Sequence, residues 1–233
     1  MRFCGLVFDI GDTLFDATVW RRWLAARLRL LGAPITPDQL VQRWEALLVD
    51  VYRGRADYWR RFGELLASMG IRGQRARELT RQARARGHEV QTCRVLFDGV
   101  RQTLVELRDA GARLAALSDT ESTAADVRRS LADLGIVGCF HAVVSSADIG
   151  CVKPQRRAYE AAADALGLPV AACAFVGHDA DELAGAMSAG MFAIAYNHDP
   201  RARADLYLDD FRQLKDLARL PVGAIPAERP AGG

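Results

Sequence analysis

A doubly wound parallel α/β sheet with an all-helical insertion is the fold class that this sequence predicts, on three observations. Short apolar runs of strand length recur at residues 3–9, 113–118, 142–146, 173–177 and 191–196. They are rich in Val, Ile, Leu, Phe and Ala, the composition of strands covered on both faces. Helix-length segments separate the later runs, and strand–helix alternation with glycine-containing connections builds a parallel sheet. Residues 16–97, by contrast, hold no strand-like run at all.

Each element has its own justification. The first apolar run, Leu6-Val7-Phe8, ends in Asp9. In the insertion, Trp20, Trp23, Leu24, Leu28 and Leu31 form one helical stripe. Leu40, Trp44, Leu47, Leu48 and Val51 form a second, opened by Thr36 as N-cap with Pro37 at the first helical position. Trp59, Phe62, Leu66 and Met69 form a third, and an arginine-rich fourth runs from about 73 to 92. Further helices are expected over about 99–111, 121–135, 155–167, 181–190 and 210–219, with Leu206–Leu208 as an extra edge strand. The right-handed crossover rule limits how these pieces connect. The domain expectation is therefore residues 1–15 and 98–233 as an α/β core and 16–97 as a helical cap. The ending "PVGAIPAERPAGG" reads as a disordered tail from about 221.

Composition narrows the function classes. The 233 residues are 50% hydrophobic with a formal net charge of +2, so no global charge calls for nucleic acid or a membrane surface. The five cysteines are dispersed without Cys-x-x-Cys spacing and read as small core residues of a reducing, cytoplasmic setting. No signal-peptide core or membrane-length run stands out. Basic residues are almost all arginine; Lys153 and Lys215 are the two lysines, so each deserves notice.

Ligands of doubly wound sheets bind beyond the carboxyl ends of the strands, so the chemistry should sit there. The first strand ends in Asp9, the second in Ser118-Asp119-Thr120, the third is followed by "GCVKP" with Lys153, and the fourth ends in "VGHDADE". A carboxylate is a nucleophile toward phosphorus or saturated carbon. An ammonium, a hydroxyl and backbone amides can stabilise a phosphoryl group in flight. Clustered carboxylates with no cation between them repel one another, and Mg²⁺ suits oxygen donors.

"FDIGDTL", the Ser118 strand end, "KP" before a helix and "VGHDADELAGAMSAGM" together resemble the four motifs of the haloacid dehalogenase superfamily, over nearly the whole chain. The resemblance implies a Rossmann-like core with a helical cap, and a Mg²⁺-dependent hydrolase, most often a phosphatase. It makes Asp9 the nucleophile and first metal ligand, with Ser118 or the Asp119 amide holding phosphate and Lys153 steadying both. Gly11, through its carbonyl, joins Asp9, Asp179 and Glu182 as the implied metal shell. The implied partner is a small phosphate ester, with no nucleic acid or membrane and with a homodimer left open.

Two departures from the pattern shape the expectations. The leaving-group acid usually lies two residues after the nucleophile, where this chain has Gly11, with Asp12 one step further; Asp12 is either that acid or a turn cap. Counting back from Gly190 puts His178 where the first carboxylate of the fourth motif is usual, whereas Mg²⁺ chemistry favours Asp179. A 2-haloacid dehalogenase is the rival reading, because halide needs no general acid. A catalytically weakened binding protein is the third.

Overall fold

In the computed structural model, which describes residues 3–33 and 35–217, the chain folds as a six-stranded parallel sheet with helices on both faces. The strands are β1 (Gly5–Phe8), β2 (Arg113–Ser118), β3 (Ala142–Ser145), β4 (Cys173–Gly177), β5 (Phe192–Tyr196) and β6 (Leu206–Leu208). Their spatial order is β3-β2-β1-β4-β5-β6, and every neighbouring pair is parallel. The order reverses beside β1, so a crevice opens between the carboxyl ends of β1 and its neighbours, where the doubly wound sheet binds ligands.

The helices are α1 (Thr18–Leu30), α2 (Pro37–Tyr52), α3 (Tyr58–Ser68), α4 (Gly73–Thr92), α5 (Val100–Asp109), α6 (Ala124–Asp133), α7 (Ser146–Ile149), α8 (Arg156–Ala165), α9 (Ala180–Ala189) and α10 (Leu214–Leu217). Successive residues of β1 alternate between the two sheet faces, as a pleated strand must. Leu6 and Phe8 join a core with Leu104, Leu131 and Phe211, while Val7 joins Phe175, Tyr159 and Leu183 on the opposite face. With both faces covered, the runs carry no polar alternation.

Helices α1–α4 bury their own apolar stripes against each other: Leu24, Leu28, Leu40, Trp44, Leu48, Phe62, Leu66 and Leu79 form a third core. The capping expected for α2 is present, with the Thr36 hydroxyl accepting from the Gln39 N–H at 3.2 Å and the Gln39 side chain returning to the Thr36 N–H. Trp20 anchors α1 to α4 by donating its indole N–H to the Ala83 carbonyl at 3.0 Å. The two connections to the sheet meet: Phe15 pairs with Leu96, and the Phe97 N–H donates to the Leu14 carbonyl at 2.9 Å. Arg94 lies over the Phe15 ring, 4.6 Å from its centroid.

Several local expectations shift. Cys139, Cys151 and Cys173 are buried, but Cys4, ahead of β1, and Cys93, at the end of α4, are exposed rather than core residues. The helix expected from 121 begins at Ala124, because Thr123 and Asp126 form a capping box there. The segment expected as a helix from 210 opens instead as a 3₁₀ turn, Phe211–Gln213, capped by Asp210, before α10. The tail expected to be disordered lies outside the described residues.

Candidate active site

Asp9 stands one residue beyond β1. Its N–H donates to the Val176 carbonyl at 2.9 Å, extending the ladder to β4 and fixing its backbone in the crevice. The chain then turns sharply: the Leu14 N–H reaches the Ile10 carbonyl at 2.9 Å and the Asp12 N–H reaches the Phe15 carbonyl at 2.8 Å. Asp12 takes the left-handed conformation, φ 55°, which aspartate tolerates better than most side chains. The turn brings the Thr13 hydroxyl back onto Asp9 Oδ2 at 3.2 Å.

Lys153 meets Asp9 from the other side. Only 5% exposed, it donates from Nζ to Asp9 Oδ1 and to Glu182 Oε2, the latter at 2.9 Å. Its backbone N–H donates to the Asp119 carboxylate at 3.0 Å, which ties the loop after β3 to the end of β2. Helix α9 is brought in tightly: a Cβ on Gly185 would lie 2.5 Å from Pro154 Cβ and 2.8 Å from the Pro154 carbonyl oxygen. Glycine at 185 thus permits the close approach that sets Glu182 beside Lys153. Tyr159 adds a second tie, its hydroxyl donating to the Glu182 carbonyl at 2.6 Å.

The remaining expected residues divide. Ser118 ends β2, half-buried at the mouth of the crevice. Asp179 caps α9, its Oδ1 accepting from the Asp181 and Glu182 N–H groups at 2.9 and 3.0 Å, whereas His178 turns inward, with Nε2 3.8 Å from Asp9 Oδ2. Asp12 points away toward the insertion: Oδ1 accepts from the Ala17 N–H at 2.7 Å and Oδ2 from Arg21 at 2.6 Å. A Cβ on Gly11 would come 3.2 Å from Ala17 Cβ, a tight but adjustable contact. The geometry therefore joins Asp9, Lys153, Glu182 and His178 directly and Asp119 through the Lys153 backbone, and it sets Asp12 and Asp179 at helix starts.

The electrostatics follow from crowding. Burial alone would lower the Lys153 pKa, but Asp9, Glu182 and Asp119 together raise it well above its usual value, so the side chain is an ammonium. Burial pushes Glu182 well up, against the pull of Lys153. Burial likewise pushes Asp119 up to about 6, opposed by the Lys153 charge and N–H. Three carboxyl groups thus crowd one ammonium, and a hard dication with oxygen ligands is a fitting partner for such a cluster of oxygen donors. Asp9 and Glu182 fit such an ion by charge and donor type. Among the described residues, no group of three or more His, Cys, Asp and Glu side chains is gathered as a finished metal centre.

Sequence reasoning passed over several participants. Thr13 lay within the quoted motif, and only the turn reveals that it faces Asp9. Asn197, φ 49°, follows β5 and donates from its amide to the Asp12 carbonyl at 2.8 Å. Arg21 was one of many helix arginines with nothing in the pattern to mark it. In the insertion, Arg21 also approaches Glu45 of α2 at 3.9 Å. Tyr52 and Tyr58, half-buried nearby, are raised chiefly by burial and further by the charge of Glu121.

The chain is similar to several known proteins. The chain is 29% identical over 231 residues to a phosphatase of Mycobacterium tuberculosis, covering 97% of this chain and 100% of that one. It is 28% identical over 227 residues to a glyceraldehyde 3-phosphate phosphatase of Methanothermobacter thermautotrophicus, covering 90% and 97% respectively. Among solved structures, a magnesium-bound HAD-hydrolase of Bacillus subtilis superposes with a TM-score of 0.70 at 18% identity, covering 94% of this chain and 100% of that one. A 2-haloacid dehalogenase of Pseudomonas syringae superposes with a TM-score of 0.62 at 24% identity, covering 93% and 99%. The sequence profile of the haloacid dehalogenase-like hydrolases matches residues 5–190, and the chain belongs to that family of hydrolases.

Proposed function

We propose that this protein is a magnesium-dependent phosphatase of small phosphorylated metabolites, working through an aspartyl-phosphate on Asp9. The observation that carries the reading is Lys153, buried between Asp9 and Glu182. A buried ammonium on one oxygen of a strand-end carboxylate holds that carboxylate aligned for attack. Asp9 attacks phosphorus, the bond to the leaving oxygen breaks, and that oxygen takes a proton from Asp12 or, where Asp12 stays paired with Arg21, from water. Water then attacks the phosphorus of the acyl phosphate, releasing inorganic phosphate and restoring Asp9.

Ser118 and the Asp119 amide bind the phosphoryl oxygens. Lys153 offsets their charge, and Asp119 contributes by holding the Lys153 backbone in place, since its own carboxylate would repel phosphate. Thr13 orients Asp9. Asp9, the Gly11 carbonyl, Asp179 and Glu182 would hold magnesium, which when bound supplies positive charge toward the phosphoryl oxygens. Asp179 keeps one oxygen, Oδ2, free of the helix-cap bonds that engage Oδ1. Asp12 remains the candidate general acid, although both its oxygens serve Ala17 and Arg21. Residues 16–97 act as a cap hinged near 14–17 and 94–98, closing over a core of 1–15 and 98–233.

The names of the curated relatives support phosphate-ester chemistry. Gly11, which places no acid beside the nucleophile, favours the rival 2-haloacid dehalogenase. A panel of phosphate esters and 2-haloacids, assayed with magnesium and after chelation, separates the two. Chelator-sensitive phosphate release without halide release is the expected result. Halide release that ignores the chelator would install the dehalogenase.

A further inference from the structure

Among the described residues, two that are not glycine take the left-handed conformation, Asp12 at φ 55° and Asn197 at φ 49°. They touch each other: the Asn197 side-chain amide donates to the Asp12 carbonyl at 2.8 Å. Backbone outliers of this kind cost energy and collect at working sites. Phe15, Ala17 and Arg21, which also bond to Asp12, follow it closely in sequence. Asn197 comes instead from the end of β5, on the far side of β4 from the turn after β1. Its own loop is held firmly. Tyr196 packs edge-to-face on Phe211 with ring centroids 5.2 Å apart, and the Asp199 N–H donates to the His178 carbonyl at 2.9 Å. Asn197 is thus braced on both sides as it reaches toward Asp12.

The bond bears on Asp9 through one peptide unit. A peptide is planar, so the Asp12 carbonyl shares a plane with the Thr13 N–H and Cα. Holding that carbonyl sets the plane from which Thr13 turns its hydroxyl onto Asp9 Oδ2 at 3.2 Å. The fold itself gains little from the contact, because Asn197 is exposed and its amide exchanges a water bond for a protein bond at small net gain. Glycine would take φ 49° without strain, so what asparagine adds there is the amide. We propose that Asn197 is a positioning residue for the nucleophile, holding the Thr13 hydroxyl on Asp9 through the Asp12 carbonyl. This rests on the phosphatase reading above, in which Asp9 attacks phosphorus.

The test is Asn197→Gly, assayed for kcat and KM on an aryl phosphate, alone and on a Thr13→Val background. Glycine keeps the backbone conformation and removes the amide, so melting should stay close to that of the wild type. The expected result is a fall in kcat of about tenfold with KM little changed, a loss set below the roughly hundredfold that a misplacement of about 1 Å costs. Thr13→Val keeps the shape of a fully buried side chain and deletes its hydroxyl. On that background Asn197→Gly should cost less than about twofold more, because residues that act through one contact are not additive. Asn197→Asp, which sets a carboxylate oxygen against the Asp12 carbonyl, should lose at least as much as Asn197→Gly. Wild-type kcat in either single variant overturns the inference and leaves the phosphatase reading in place. So do losses that simply multiply in the double variant. Absence of phosphate release by the wild type from any ester overturns both readings together.

Discussion

The carboxyl end of the sheet and the helical insertion hold their charged side chains in opposite ways. At the sheet, Lys153 and Asp9 are buried, and each is fixed by partners from different loops. In the insertion, the interior is apolar and the charges lie outside, in pairs such as Arg61–Glu64, Arg81–Glu78 and Arg86–Glu89 within one helix. Exposed pairs of that kind contribute little to stability and rearrange easily. The difference suits a division of labour: chemistry needs groups that do not move, whereas an exposed helix surface tolerates exchange. Substitutions at the sheet end should therefore cost turnover, and those that strand a buried partner should cost stability as well, whereas substitutions among the exposed pairs should cost little of either.

The strongest test is Asp9→Asn. Asparagine keeps the shape but supplies no anionic nucleophile, and loss of a nucleophile that acts as a unit with its neighbours costs about 10⁴-fold or more. Phosphate release should fall by that factor, with circular dichroism unchanged. Comparable turnover by the variant would end the covalent mechanism.

Lys153→Met probes the other half of the pair. It preserves a long apolar stem and deletes the charge that Asp9, Glu182 and Asp119 share. Stranding one partner of a buried ion pair costs about 3–5 kcal/mol. Denaturant unfolding should show a loss of that order, together with lost activity. A variant as stable as the wild type would mean that the three carboxylates are not charged together in the folded protein.

Gly185→Ala asks whether packing alone positions the pair. The new methyl would collide with the Pro154 carbonyl, a backbone atom that cannot swing aside. Overpacking of this kind costs about 1–3 kcal/mol. The variant should melt earlier and turn over more slowly, because Pro154 follows Lys153. A neutral effect on both would show that α9 can retreat without disturbing Lys153.

How far the sequence reveals these features depends on how local their causes are. Strand composition and the order of the strand ends point to the sheet edge at which the fold joins Asp9, Lys153 and Glu182, since a doubly wound sheet leaves few alternatives. The four insertion helices were legible because each stripe repeats at helical spacing and Thr36-Pro37 marks a start. Gly185 gave no sign of its part, because its neighbour Pro154 is distant in sequence and close approach leaves no local pattern. Arg21 was hidden for the opposite reason: it resembles every other helix arginine, and only the fold shows which one faces Asp12. His178 and Asp179 are adjacent, so composition could not choose between them. The start of α9 turns one residue to its own N–H groups and the other toward Asp9.

The smallest expected effect decides the most disputed residue, Asp12. It sits on the boundary between the two regions, with one oxygen on the first turn of α1 and the other on Arg21. As a general acid it would contribute about 10²–10⁴-fold, chiefly to alkyl phosphates, whose leaving groups need a proton. As a clasp it contributes alignment of the start of α1, which matters equally for alkyl and aryl esters. Asp12→Asn preserves the acceptor for the Ala17 N–H and loses only the ion pair with Arg21. Exposed and half-exposed pairs are worth about 0.2–1 kcal/mol, so a clasp predicts a loss of no more than about fivefold, equal for both ester classes. A loss confined to alkyl phosphates and reaching a hundredfold would return Asp12 to the chemistry of the sheet end. An equal, small loss leaves it joining the two regions, with Gly11 marking a reaction that proceeds without a positioned acid.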